Sequence, residues 1–363
     1  MVHHDGAKAL REIDHFFKMK DNLIGDTKFY LGAKLHQMTL HNGVTAWGMS
    51  ASKYVQAAVA IVKTYHLRIY PTRKWLKRTS GPFPCDYAPE LDATDLLDHK
   101  KSTFYQSQIG LLRWIVELGR INIITKVLEL STFLAMPYEG HLEAVFHIFN
   151  YLEKQHNSRI VFDPSYPTIN MTACKDKCDW KSFYGEAREA IPPNAQTPRG
   201  KDVDLQMFVD SNHADDKQTR RSRTGFIIFL SMAPIVWFSK KQSAIETSVF
   251  GAEFVAMKQD MECLHGLRYQ LRMMGVAISG PSYIYGDNMS VIHNTQRPET
   301  MLKKKSNLIC YHVICKAVAM GKCLTGHVSI HNNPAHICTK VIPGGRKQDH
   351  LVGLLLHDVT DYT

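Results

Sequence analysis

Three carboxylates carry the chemistry for which this chain can be read. Asp210 closes an alternating apolar run, Leu205-Gln-Met-Phe-Val-Asp210; Glu253 stands early in a helical pattern, Ser248-Val-Phe-Gly-Ala-Glu253-Phe-Val-Ala-Met257; Asp287 ends a second short strand, Tyr283-Ile-Tyr-Gly-Asp287. Strand end, helix, strand end is an order that can bring three acids together. Two such charges 4 Å apart repel by about 4 kcal/mol at a protein's effective dielectric, so the cluster makes sense around a hard divalent cation. That reading is a magnesium site for phosphodiester chemistry. The alternative is three separate surface carboxylates.

The elements that must position these acids follow from periodicity. After residue 200 the pattern predicts strands over Asp204 to Val209, Thr224 to Leu230 and Pro234 to Ser239. A long helix from Ser248 to Met274 follows, then a strand at Tyr283 to Tyr285, helices at Met289 to Asn294 and Leu308 to Met320, and a strand at Gly326 to Ile330. Three strands, a helix and then alternating elements imply a mixed sheet with helices packed on it. Earlier, a helix is expected over Ala7 to Met19. Strands Phe29 to Leu35 and Val44 to Met49 flank the Asn42-Gly43 turn signal, and a helix capped by Ser50 follows with Tyr54, Ala58, Ile61, Val62 and Tyr65 on its inner face. Residues 67–100 read as proline-punctuated loop, 104–155 as packed helices, and 161–200 as an irregular linker with one helical patch, Trp180 to Ala190.

Composition narrows the class. The chain has 363 residues, 44% of them hydrophobic, and a formal net charge of +10, which suits a polyanionic partner. No apolar run approaches the roughly 20 residues of a membrane-spanning helix, and the polar start, Met1-Val-His-His-Asp, is not a secretory signal, so the expected setting is cytoplasmic or nuclear. Eight cysteines in this length do not read as a disulfide framework; Cys174 and Cys178 form half of a zinc spacing without a second half. The basic stretches Arg220, Arg221, Arg223 and Lys240-Lys241 are candidates for phosphate contact, whereas Lys303 to Lys305 read as a solvated face.

Taken in order, Val209-Asp-Ser-Asn-His-Ala214, Thr219-Arg-Arg-Ser-Arg-Thr-Gly-Phe226, Ile235-Val-Trp-Phe-Ser-Lys-Lys-Gln242, Ala252-Glu-Phe-Val-Ala256, Tyr285-Gly-Asp-Asn-Met-Ser290 and Asn333-Pro-Ala-His-Ile-Cys-Thr-Lys340 resemble the ribonuclease H blocks in the Pol polyprotein of copia-type long-terminal-repeat retrotransposons. Phe29-Tyr-Leu-Gly32, Ser52-Lys-Tyr54, Tyr105-Gln-Ser-Gln-Ile-Gly110 and His141-Leu-Glu-Ala144 resemble the end of the reverse transcriptase palm with its thumb and connection. The resemblance implies an α/β chain, α+β overall. It would comprise a partial palm over 1–66, thumb and connection helices over 67–160, a linker over 161–200 and a ribonuclease H-like mixed sheet with flanking helices over 201–363.

It also implies a reaction: hydrolysis of RNA in an RNA–DNA hybrid by two divalent ions about 4 Å apart. Asp210 would bridge both ions, Glu253 would hold one, and Asp287 would fix that same ion and orient the scissile phosphate. Two departures stand out: His336 occupies the place of the family's fourth acid, and Asn212 that of a second aspartate after Asp210. A neutral imidazole at His336 favours Mn2+ over Mg2+ and could shuttle a proton, so impaired activity partly rescued by manganese is expected. The paired-aspartate polymerase motif expected before Ala9 is absent, so DNA synthesis by this chain alone is not expected, and the remainder of a Pol polyprotein could act in trans, including within a virus-like particle. The alternatives are a non-catalytic nucleic-acid-binding remnant and a decayed reading frame.

Overall fold

Two five-stranded sheets organise the computed structural model, which describes residues 11, 14–16, 28–75, 79, 81–83, 87–174, 178–298, 302 and 304–358. Most of the helix expected over Ala7 to Met19, His3-His4, Pro84 and Lys303 lie outside the described residues.

The first sheet has the order β1-β2-β3-β4-β10 and is antiparallel at every pairing. Its front is a hairpin of β2 (Ala33–Thr39) and β3 (Thr45–Ser50) across Asn42-Gly43, where Asn42 Oδ1 accepts from Val44 N and Gly43 takes a φ of 76°. The strand expected over Phe29 to Leu35 is in fact two. Leu31 and Gly32, at φ 51° and 100°, fold β1 (Phe29–Tyr30) back onto β2. Helix α1 (Ser52–Ile69) has Ala51 at its cap position while Ser50 ends β3, and it buries Val55, Ala58, Val59, Val62 and His66; Ile61 is left exposed. Apolar residues occur nearly all round this helix, so its periodicity did not fix which stripe faces inward.

Helices α2 (His99–Glu117), α3 (Ile124–Leu130) and α4 (Glu139–Lys154) follow. Strand β4 (Ser158–Phe162) then returns to pair with β3. Among the described residues of 161–200, α5 (Met171–Cys174) and α6 (Lys181–Tyr184) are helical. The longer patch expected to Ala190 stops at Gly185, at φ 64°, and Glu189 is drawn off to Arg268 and Arg272.

The second sheet has the order β7-β6-β5-β8-β9. Strands β5 (Leu205–Ser211), β6 (Arg223–Leu230) and β7 (Ala233–Lys241) form an antiparallel meander. Strand β8 (Ser282–Gly286) lies parallel to β5, and β9 (Cys323–His327), which starts three residues earlier than expected, lies parallel to β8. Helices α7 (Val249–Met273), α8 (Met289–Thr295) and α9 (Lys305–Ala319) pack beside it, with Ser248 capping α7 through Gly251 N. The chain is therefore a mixed α/β structure with a ribonuclease H-like sheet and flanking helices.

Both faces of β6 are buried, which its continuous apolar run permits. Phe226 and Ile228 join Val209, Phe254 and Met257 on the α7 side, whereas Ile227 and Phe229 join Leu112, Val127 and Phe149 of the helices before residue 160. The tail crosses back as well. Short α10 (His336–Thr339) packs between α3 and β6, α11 (Arg346–Gly353) follows, and β10 (His357–Asp358) completes the first sheet against β4. Among the described residues no helix is long and apolar enough to cross a membrane.

Candidate metal centre

Asp210 sits one residue from the end of β5, paired with Gly225 across the ladder. The absence of a side chain at Gly225 matters here: a Cβ would lie 2.6 Å from Cys338 Cβ, so only glycine lets α10 approach this closely. That approach delivers His336 and Thr339 to Asp210. Asp287 follows the last residue of β8, beside β5 in the parallel pair, so the two aspartates meet at the same strand ends.

Among the described residues, one group of acid, histidine and cysteine side chains converges as a metal site would: Asp210, Asp287 and His336, with ligand atoms within 4.8 Å of one another. His336 Nε2 lies 2.9 Å from Asp287 Oδ2 and 3.4 Å from Asp210 Oδ1. Lys340 Nζ donates to Asp210 Oδ1 at 3.0 Å, and Thr339 Oγ1 donates to Asp210 Oδ2. Burial opposes charge on Asp210, yet His336, Lys340 and Thr339 outweigh it and hold the carboxyl below its usual range. Burial likewise opposes charge on His336, but its contacts with Asp210 and Asp287 raise its pKa, favouring the imidazolium where sequence suggested a neutral ring. Its Nδ1 is buried without a partner among the described residues.

Glu253 belongs to the first turns of α7 and accepts from the Ser211 backbone. It stands outside the 4.8 Å group. Burial, then the charges of Asp210 and Asp287, push its carboxyl well above the usual range, so it favours the protonated form. Cys174 and Cys178 join no such group; Cys174 is buried against Tyr285 and Gly326.

The basic candidates separate. Arg220 is exposed at φ 55°, and Arg221 and Lys240 are exposed. Arg223 is instead buried, 3.9 Å from Glu129 and bonded to Ser239, and Lys241 pairs with Asp216. Lys304 pairs with Glu246, so it too is held by the protein.

Several contributors escaped the sequence reading. Thr339 and Lys340 close the Asn333-Pro-Ala-His336 block but carried no assigned role. Gln242 donates to Ser211, Thr224 and Ala252, tying β7 to the acid strand and to α7. Asn212, which the sequence reading singled out only as a departure from an aspartate, donates to the Thr339 carbonyl and to Asp215 and accepts from Arg223 N, so an amide at this position joins β5, β6 and α10. Asp260, two turns beyond Glu253, is fully buried with neither oxygen bonded. Only their contacts, not their spacing, distinguish these residues.

No protein-family model matches the chain. The chain is similar to retrovirus-related Pol polyproteins from transposons. It is 26% identical over 238 residues to that of transposon RE1 of Arabidopsis thaliana, covering 66% of this chain and 14% of the relative. It is 25% identical over 252 residues to that of transposon TNT 1-94 of Nicotiana tabacum, covering 69% and 16%. A putative transposon Ty5-1 protein of Saccharomyces cerevisiae is 24% identical over 240 residues, covering 66% of this chain and 60% of its own length. The chain thus spans about a seventh of the RE1 polyprotein. Among solved structures it is similar to the amino-terminal ribonuclease H domain of a Mycobacterium tuberculosis protein, with a TM-score of 0.30 and 9% identity over 42% of this chain and 96% of that one. It is also similar to LC11-RNase H1 in complex with an RNA/DNA hybrid, with a TM-score of 0.30 and 14% identity over 37% and 93%. The strand order above, rather than these scores, defines the fold.

Proposed function

We propose that this relative of transposon Pol polyproteins hydrolyses the RNA strand of RNA–DNA hybrids at Asp210, Glu253, Asp287 and His336, at an impaired rate. The observation that carries the reading is the convergence of Asp210, Asp287 and His336 at neighbouring strand ends, with Glu253 facing them from α7. In this reading residues 201–363 form the hydrolytic unit, 1–66 a palm remnant, 67–160 the thumb and connection helices and 161–200 the linker.

The donor set fits a divalent cation: two carboxylate oxygens and one imidazole nitrogen, more favourable to Mn2+ than an all-oxygen set. When bound, such an ion activates water and stabilises the leaving oxygen. Asp210 and Asp287 would supply its first oxygens, and Glu253, whose carboxyl burial and the two aspartates push above its usual range, would be drawn toward its ionised form as positive charge arrives. His336 would have to give up both its bridge between the aspartates and its Nε2 proton, released to solvent, before that nitrogen could bind. That exchange, and the unpartnered Nδ1, which leaves the ring without the support metal-ligating histidines normally have, favour a slowed reaction. Hybrid recognition by Arg220, Arg221 and Lys240 would follow phosphates and groove shape more than sequence.

The test is cleavage of a labelled RNA–DNA hybrid by the full chain in Mg2+ and separately in Mn2+, with Asp210→Asn as control. Cleavage that is faster in Mn2+ and absent from the control is expected. Equal rates in the two ions, or none in either, would overturn the reading. One observation favours a second reading, a nucleic-acid-binding remnant without turnover: Asp210 is already satisfied by Thr339, Lys340 and His336. Salt-sensitive hybrid binding without cleavage would select it.

A further inference from the structure

A cavity of about 530 Å³ opens between the helices before residue 160 and the second sheet, within the size range of small-ligand sites. The segment around Tyr87 to Glu90, the end of α3 and the β5–β6 loop form its walls, and Asn212 and Lys340 place it directly beside Asp210. A second cavity of about 360 Å³ adjoins it through Tyr87, Ala88 and Lys217.

Its charged groups differ in how they are paired. All four carboxylates in the wall already have a donor or cation beside them: Glu90 accepts from Lys217 N, Glu129 faces Arg223, Asp215 accepts from Asn212, and Asp216 pairs with Lys241. Burial also raises the pKa of Glu129 despite the nearby cations. Arg221 and Lys217 make no ion pair among the described residues and lie in the same wall as the rings of Tyr87 and Phe133, while Glu90 and Asp215, which accept only from neutral N–H groups, balance them in formal charge. Cation next to aromatic surface is the combination that holds a strand's phosphate and stacks its base. Lys340 belongs to both places: its ammonium bonds Asp210, and the same side chain lines the cavity.

We propose that this cavity seats one nucleotide of a nucleic-acid strand, with Arg221 and Lys217 holding its phosphate and Lys340 swinging from Asp210 to that phosphate. This rests on the hydrolase reading for the source of the nucleotide, a hybrid backbone rather than a free mononucleotide. Occupancy would free an Asp210 oxygen and so couple strand binding to cation binding.

The experiment measures binding of a fluorescent RNA–DNA hybrid, and separately of fluorescent 5′-AMP, to the full chain in EDTA, where cleavage cannot interfere. Arg221→Ala is compared with Arg188→Ala, an exposed arginine outside the cavity. Arg221 makes no ion pair among the described residues, so its loss is expected to leave the fold intact, which an unchanged melting temperature checks. Arg221→Ala is expected to weaken hybrid binding about tenfold and to lower its salt slope by about one, with Arg188→Ala close to wild type. Calorimetry with Mn2+ gives the second readout: 5′-AMP raises Mn2+ affinity in the wild type but not in Lys340→Met. Equal effects of the two arginine variants, or no binding of either probe, would overturn the pocket. Arg221-dependent binding of 5′-AMP without hybrid binding would keep the pocket and sink the hybrid as its source. Arg221-dependent hybrid binding without cleavage in Mg2+ or Mn2+ would keep the pocket and sink the hydrolase reading.

Discussion

Lys340 Nζ lies 3.0 Å from Asp210 Oδ1, so the most deeply buried acid of the candidate metal centre carries its own cation. A divalent ion must compete with that ammonium. Lys340→Met is therefore expected to raise Mn2+ affinity by about fivefold, the equivalent of a partly exposed ion pair of about 1 kcal/mol, measured by calorimetry without nucleic acid. Unchanged affinity would mean that Lys340 leaves Asp210 at no cost.

His336→Asp restores the acid that the family resemblance calls for, and its two effects should oppose each other. A third carboxylate beside Asp210 and Asp287 favours Mg2+, so the ratio of Mg2+- to Mn2+-supported cleavage should rise. Without metal the variant loses both bonds from His336 and gathers like charges, costing about 2–3 kcal/mol in urea unfolding. A variant with improved metal-free stability would contradict the bridging role of the imidazole.

Asn212→Asp, the other apparent repair, should damage the protein. The amide donates to both Thr339 O and Asp215 Oδ2, and a carboxylate can do neither. A loss of about 1–3 kcal/mol in urea unfolding with no gain in cleavage is expected; faster cleavage at unchanged stability would restore Asn212 to the list of damaged positions.

Asp260 is buried without a hydrogen-bond partner among the described residues, and burial followed by the charge of Asp210 raises its pKa well above the usual carboxylate value. The unfolded chain ionises this group at lower pH than the folded one, so its contribution to stability falls as pH rises above the ordinary aspartate pKa. Asp260→Asn should remove that slope and stabilise the chain by about 1 kcal/mol at pH 7 relative to wild type, read from urea midpoints at pH 5 and pH 7.

Glu189 has the opposite sign. Burial is outweighed by hydrogen bonds from Arg268 and Arg272, which bring its pKa down to about 2. Its stabilisation is present above the unfolded pKa near 4.5 and is lost as pH falls toward 2. Glu189→Gln leaves the buried Arg268 without its carboxylate and should cost about 2–3 kcal/mol at neutral pH, with the difference from wild type shrinking at acid pH. An equal difference at pH 7 and pH 3 would contradict the linkage.

The sequence by itself determined the strands that carry Asp210 and Asp287, the helix that carries Glu253 and the Asn42-Gly43 hairpin, because alternation, helical spacing and turn residues are local properties. It also marked His336 as an unusual residue in the acid's place. Tertiary structure decided the rest. The inward stripe of α1 depended on what packed against it, and the break at Leu31-Gly32 on the return of β1. Arg223 turned from a surface cation into a buried one because the earlier helices cover the second sheet. The protonation preference of His336, the roles of Thr339 and Lys340 and the cavity beside them arise where segments more than a hundred residues apart meet. Charge at a buried site depends on the partners and water that neighbouring segments supply or exclude, and that is a property of the assembled fold rather than of any stretch of chain.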